Sequence, residues 1–218
     1  EHEAFYRDQI ETYRRVVDPA HIWSWMESNF SIQHQAYRIV LSPLMQGTNN
    51  TWRFWDREKE YSEIVMFAPS PNTMIPAVED PNYGLSQEVA DVLLVRSVFT
   101  EIDHNYVNPV TDQHLKAIDR AMRPLSGWNN GARSYGNPAM TFNEYYTWAI
   151  FRLYAKARYD PVLADAAWER TKQTMARRGF PRFDAFSQEL ETRYAQRKEG
   201  QTVADLLPEL AAWMKSAR

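Results

Sequence analysis

Apolar residues recur three and four positions apart over most of the chain, which is the pattern of amphipathic helices. Near the N-terminus this spacing predicts a helix over 4–17. It also predicts a second helix to about residue 30, opened by Asp18-Pro19 as a cap and a first-turn proline. Beyond residue 85 the same spacing predicts helices over 86–106, 111–122, 141–158, 161–178, 182–198 and 203–217.

One stretch of the N-terminal half has strand character instead. The segments 36–41, 52–55 and 61–67 are rich in β-branched and aromatic residues, and turn-forming residues lie between the first two. We expect these segments to form a small antiparallel sheet, followed by an irregular loop with several prolines over 68–83. The predicted fold class is therefore α+β.

The helix over 86–106 is predicted to be the central one. Eight of the eleven residues from 89 to 99 are apolar and cover all faces, which is typical of a buried helix. We expect Asn108-Pro109 to end this helix, because proline has no backbone N–H and clashes with the preceding turn.

Composition and charge exclude several function classes. The net charge of −3 and the absence of a long basic run argue against nucleic acid as a partner, and the short block Arg177, Arg178, Arg182 is expected to be a solvated helix end. Zero cysteines exclude disulfides, thiolate zinc sites and cysteine nucleophiles. No apolar run reaches the ~20 residues of a transmembrane helix.

The length of 218 residues fits one domain, or one domain with an extension. We expect an α+β domain over 1–160 and a C-terminal helical extension over 161–218 packed on it, with a single domain over 1–218 as the alternative. Within the extension, Gly179 is expected to end a helix, and Pro208 to kink the last helix or mark its start.

Three ionisable side chains stand near the end of the apolar helix, namely Glu101, Asp103 and His104. Burying a charge costs several kcal/mol unless it is paired or bound to a metal. We therefore expect these groups at the mouth of a cleft or in a satisfied polar network. The plainer alternative is an ordinary helix-surface pair of Glu101 and His104, three residues apart.

The segment Thr100–His104 resembles the HExxH motif of zincin metallopeptidases. In that motif two histidines four residues apart bind zinc, and the glutamate activates the zinc-bound water. Glu101 and His104 are in register with the motif, whereas Thr100 stands in place of the first histidine. The gluzincin branch takes its third ligand from a glutamate on a following helix, and Glu144 matches that position.

The resemblance extends beyond these five residues. The run Tyr106-Val107-Asn108-Pro109 and the upstream segment 40–47 are similar to a bacterial family of uncharacterised, mostly exported zincin-like proteins, over roughly residues 30–158. The resemblance implies a zincin-like core with a small sheet, a buried motif helix and a helical C-terminal half. It also implies zinc as cofactor, a peptide or protein as substrate or ligand, and an exported or periplasmic location.

Thr100 is the position at which the sequence departs from the HExxH motif, and this departure determines the expected metal binding and catalysis. A catalytic zinc site needs three protein ligands and an open position, and the resemblance leaves only His104 and Glu144. We therefore expect a degenerate site with weak or absent zinc binding and little peptidase activity. Glu101 acting as a ligand for a harder metal is one alternative, and a third ligand from elsewhere is another. The candidate donors for it are His21, His34 and His114.

Two further features bear on the site. Thr141 and Glu144 have the spacing of a capping box, which is a structural alternative to metal binding by Glu144. The loop over 126–138 lies between the two motif helices, and Tyr135 and Arg133 are its candidate transition-state helpers. A plain connector is the alternative interpretation of that loop.

Two functions of different classes follow from these expectations. The first is a metallopeptidase-related protein with a degenerate metal site, in which Glu101 is the catalytic base of the active ancestor. The second is a peptide- or glycan-binding or scaffold module on the same fold, without catalysis. A hydrolase that pairs Glu101 with Asp103 ranks last, because the two lie about 200° apart around one helix.

Overall fold

The computed structural model describes residues 2–45, 49–71, 84–131 and 133–217. Over these residues the fold is α+β, with eight α-helices and one three-stranded sheet, which confirms the predicted class. Its contacts group into two compact units, Glu1–Glu27 with Ile32–Asn105, and Ser28–Ser31 with Tyr106–Arg218. The expected boundary at residue 160 falls inside the second unit and stays a prediction.

The N-terminal helices follow the predicted spacing. Helix α1 spans Glu3–Thr12 and continues as a π-helical turn over Tyr13–Val17. Asp18 then adopts a left-handed conformation with φ of 49°, which breaks the helix before α2 begins. Helix α2 spans Pro19–Asn29, so the proline occupies the first turn as expected.

The sheet is mixed, and the expectation of an antiparallel sheet is wrong in part. Strands β1 (Ala36–Leu41), β2 (Asn50–Asp56) and β3 (Tyr61–Ala68) lie in the order β1-β3-β2. A four-residue turn after β2 reverses the chain, so β2 and β3 pair antiparallel, whereas β1 pairs with β3 in parallel. Strand β3 carries the most buried apolar residues and takes the centre, which places β1 and β2 on its two sides.

The predicted end of the apolar helix at Asn108-Pro109 is wrong. Helix α3 spans Gln87–Gln113 and contains Pro109. A proline at 109 has no N–H to donate to the carbonyl of Asn105 four residues earlier. That carbonyl instead accepts a hydrogen bond from Nη1 of Arg53 on β2, at 3.2 Å. The helix can therefore continue, because its freed acceptor is satisfied from outside.

The second unit is helical over its described residues. Helix α4 is shorter than predicted, because 111–113 belong to α3 and His114 forms a turn. It spans Leu115–Ala121. Helix α5, Pro138–Arg158, begins three residues before its predicted start at 141, whereas α6, Pro161–Arg177, and α7, Phe183–Gln196, agree with the predicted ranges to within two residues. Gly179 follows α6 with φ of 88°, and Pro208 lies in the first turn of α8, Leu207–Ser216.

An aromatic cluster forms the core of this unit. The buried ring of Tyr145 packs edge-on against three others, with centroids 5.4 to 5.6 Å away; the partners are Trp128, Phe180 and Phe186. The Tyr145 hydroxyl donates to the carbonyl of Trp128 at 2.8 Å, which satisfies its buried polar atom. No helix in the described parts of the chain is both long and apolar enough to cross a membrane.

Candidate functional site

The motif residues of the first unit lie in the middle of α3. Thr100 is buried, and its hydroxyl is 3.4 Å from the carbonyl of Ser97, to which it donates within the helix. Glu101 and His104 are both partly exposed. The residue in place of the first histidine therefore uses its polar atom for its own helix backbone.

Asp103, between them, lies in a different environment. It is fully buried, and neither carboxylate oxygen has a hydrogen-bond partner among the described residues. Burial raises the pKa of Asp103 well above its usual range, and the charge of His104 acts in the opposite direction. Asp103 is thus neither solvated nor part of a visible hydrogen-bond network, and its environment favours the protonated acid.

His34, one of the three candidate donors from elsewhere, belongs to a buried polar group beside β3. The backbone N–H and the hydroxyl of Ser62 both donate to Oε1 of Gln35, at 2.6 and 3.0 Å. The hydroxyl proton is therefore used, so Nδ1 of His34 must donate to Oγ of Ser62 across 2.9 Å. A proton on Nδ1 makes this a poor nucleophile–base pair, because the base must accept from the serine.

The same environment keeps His34 neutral. Burial, with a smaller effect from the charge of Arg53, lowers the pKa of His34 to about 4, and Glu27 opposes the shift. With Nδ1 protonated, the lone pair of the neutral ring is on Nε2, the arrangement that a histidine ligand also requires.

Glu144 lies in the second unit, on α5, and is buried. The capping-box interpretation is wrong, because α5 begins at Pro138 and its N-cap is Asn137, whose side chain accepts from the N–H of Met140 at 2.9 Å. Oε2 of Glu144 accepts instead from Nη2 of Arg178 at 2.6 Å, in an ion pair whose glutamate is buried and whose arginine is partly exposed.

Arg178 is enclosed by aromatic rings as well as by this carboxylate. The same nitrogen, Nη2, donates to the hydroxyl of Tyr135 at 2.7 Å. The guanidinium carbon lies 4.6 Å from the ring centroid of Trp148, and the rings of Tyr135 and Phe180 follow at 5.2 and 5.3 Å. The expectation of a solvated helix end is wrong for Arg178, because these groups compete successfully with water for its charge.

The structure thus places the predicted site residues in two groups. Thr100, Glu101 and His104 belong to the first unit, and Tyr135 and Glu144 belong to the second. Arg133 lies in a short 3-10 turn, Arg133–Tyr135, and its side chain is outside the described residues. Across the described ranges, no three histidine, aspartate or glutamate side chains form a group that could hold a metal ion.

Sequence reasoning did not predict two contacts of the candidate site residues: Arg178 as the partner of Glu144, and Ser62 as the partner of His34. Each lies at least 28 residues from the group it contacts, and neither is part of a recognisable motif. Comparison of the chain with protein-family models, with curated proteins and with solved structures found no match. The zincin-like assignment therefore depends on the motif residues of this sequence alone.

Proposed function

We propose that this chain is a zincin-like, metallopeptidase-related protein with a degenerate metal site and little or no peptidase activity. The observation that carries the proposal is the ion pair between Glu144 and Arg178. Glu144 matches the third zinc ligand of the gluzincin pattern, but a guanidinium already neutralises its carboxylate. If a metal bound this carboxylate, the partly exposed Arg178 would lose its charged partner, and this loss opposes metal binding.

Thr100 supports the same conclusion from the first unit. Its hydroxyl is a poor zinc ligand near neutral pH, and it donates to the backbone of its own helix. Two of the three ligand positions in the pattern, 100 and 144, therefore carry a feature that competes with zinc. The donor set does not fit a catalytic zinc, so no catalytic step is assigned to a bound metal.

A binding module is the second candidate, and an observation on the sheet favours it. Strand β2 is an edge strand among the described residues, since it pairs only with β3. Its aromatic side chains Trp52, Phe54 and Trp55 are 57%, 54% and 62% exposed. An exposed edge strand can pair with an extended peptide, which then forms a further strand of the sheet. The exposed aromatic side chains of β2 can contact every second side chain of that peptide.

Zinc content tests the first proposal. The protein is purified without a metal-affinity tag, offered zinc, dialysed and measured by mass spectrometry as wild type, Thr100→His and Thr100→His/Arg178→Met. We expect the wild type and the single variant to retain little zinc, and the double variant to approach ~one equivalent, because it restores the ligand and frees Glu144. Adding His104→Ala to the double variant should abolish uptake.

Each result decides between the candidates. A full equivalent of zinc in the wild type, with cleavage of a casein substrate, would contradict the degenerate site. No uptake in any folded variant would contradict the zincin assignment itself. The binding module predicts saturable binding of extended peptides that is unaffected by a chelator and is lost when Phe54 is replaced by lysine.

A further inference from the structure

We propose that Glu144, Tyr135, Trp148 and Phe180 form a guanidinium-binding site in the second unit. Arg178 fills this site in the present structure, and an arginine side chain of another polypeptide can take its place. The inference goes beyond the degenerate metal site and does not depend on the zincin resemblance. All of its contacts lie within one unit and are independent of the motif residues on α3.

The site has the two parts that a receptor for an organic cation needs. Its polar part is the carboxylate of Glu144, whose side chain is 6% exposed, with the hydroxyl of Tyr135 beside it. Its apolar part is the set of three rings within 5.3 Å of the guanidinium carbon. A desolvated carboxylate next to aromatic faces attracts cations strongly, because both interactions gain from the exclusion of water.

The geometry favours a planar cation with N–H donors, such as a guanidinium, over a quaternary ammonium. Both hydrogen bonds, to Glu144 at 2.6 Å and to Tyr135 at 2.7 Å, come from a single –NH2 group of Arg178. A planar ion can present that edge to the two oxygens while its faces lie against rings. A quaternary ammonium can approach the rings but has no N–H to donate, so it cannot replace the hydrogen bonds that Arg178 makes to the carboxylate and the phenol.

The present occupant is placed where it can leave. Arg178 follows the last residue of α6 and precedes Gly179, so its side chain can leave without a change in the helix backbone. Its departure breaks the ion pair, the bond to Tyr135 and one weak hydrogen bond, from Nη1 to Sδ of Met175 at 3.3 Å. Its side chain is 26% exposed, whereas that of Glu144 is almost fully covered. Of the receptor groups, Glu144 and Phe180 are buried and Tyr135 and Trp148 are partly exposed, so the site is open to solvent on the side of the rings.

The first experiment opens the site. Arg178→Ala should unfold at a lower temperature than wild type, and N-ethylguanidinium at millimolar concentrations should restore the melting temperature in a saturable way. Tetramethylammonium at the same concentrations should not. Adding Glu144→Gln should weaken the N-ethylguanidinium affinity by about ten- to a hundredfold, the factor that corresponds to one charge-assisted hydrogen bond.

Arg182→Ala is the matched control for this experiment. The Arg182 guanidinium also lies over a ring, 5.1 Å from Trp128, but its Nε donates to a backbone carbonyl rather than to a carboxylate. N-ethylguanidinium should bind this variant with an affinity at least tenfold lower, because the site that Arg182 leaves has no carboxylate to accept a charge-assisted hydrogen bond. Equal stabilisation of both variants, or none in a folded Arg178→Ala, would overturn the proposal.

The second experiment uses the wild type and needs no variant to fold. The peptide acetyl-Gly-Arg-Gly-amide is titrated into ¹⁵N-labelled protein while the indole N–H resonance of Trp148 is followed, with the lysine peptide as control. The tethered Arg178 competes at an effective concentration in the millimolar range, so half-saturation should need peptide at millimolar levels. A saturable shift with the arginine peptide alone supports exchange. No shift, or equal shifts with both peptides, would show that Arg178 stays bound to Glu144 and would contradict the proposal.

Discussion

Asp103 is a carboxyl group that α3 holds in its most buried part. Its two oxygens have no hydrogen-bond partner in the described ranges of the chain, although the helix around it is packed with apolar side chains. A buried polar atom without a partner loses its hydration and gains nothing in exchange. Such a residue lowers the stability of the fold.

Replacement of Asp103 by leucine should stabilise the protein. Leucine has the same branching at Cγ but carries no polar atoms, so the free energy of unfolding at pH 7 should rise by about 1–3 kcal/mol. Urea denaturation followed by circular dichroism measures the change. Asp103→Asn is the matched control, because its amide cannot ionise and keeps unsatisfied polar atoms, and it should gain less. A loss of stability in Asp103→Leu would mean that the carboxyl has a partner that offsets its burial.

For single residues, the sequence predicted the element on which a side chain lies better than the side chain's contacts. The spacing of Glu101 and His104 on an apolar helix was sufficient to place them on α3. It did not predict that Glu144 would bind Arg178, because that contact joins the N-terminal part of α5 to the end of α6, 34 residues away. Contacts of this kind depend on how helices pack, and no local pattern encodes them.

Elements were predicted well where periodicity alone decides them. Two helices of the second unit, α5 and α6, begin at prolines 138 and 161, which agrees with the first-turn preference of proline, although the spacing predicted α5 only from residue 141. The rule that a proline ends a helix fails at Pro109, because its cost depends on whether the freed carbonyl of Asn105 finds another donor. That donor, Arg53, comes from a strand 52 residues earlier, and the strand order that brings it there depends on the burial of β3.

The continuation of α3 through Pro109 should therefore depend on Arg53. Arg53→Met removes the donor to the Asn105 carbonyl and should lower the free energy of unfolding by about 1 kcal/mol. In a Pro109→Ala background the new N–H of residue 109 can bond to that carbonyl, so the same substitution should cost much less. The coupling from the double-mutant cycle, measured by urea denaturation, should be about 1 kcal/mol.

Arg38→Met is the control for that cycle. Arg38 is another arginine of the sheet, 64% exposed in its side chain, and its partner is the carboxylate of Glu63 rather than a helix carbonyl. Its loss should change stability by at most ~0.5 kcal/mol, with no coupling to position 109. Additive effects of Arg53→Met and Pro109→Ala would show that the Asn105 carbonyl does not need the arginine.

At the scale of the whole molecule, stability should fall in mild acid because of His34. The folded protein keeps this ring neutral with a pKa of about 4, whereas the unfolded chain binds its proton near the ordinary value of 6.5. The stabilisation is therefore complete above pH 6.5 and is lost as the pH falls from 6.5 towards 4. The loss over this window should be on the order of 2 kcal/mol.

Urea denaturation at a series of pH values between 8 and 4 measures this effect, with wild type compared with His34→Gln. Glutamine can still donate to Oγ of Ser62 but does not titrate, so the variant should lose less stability across the window. The difference between the two curves removes the contributions of the carboxyl groups, which both proteins share. Parallel curves for wild type and His34→Gln would show that the folded protein accepts a proton on His34 as readily as the unfolded chain does.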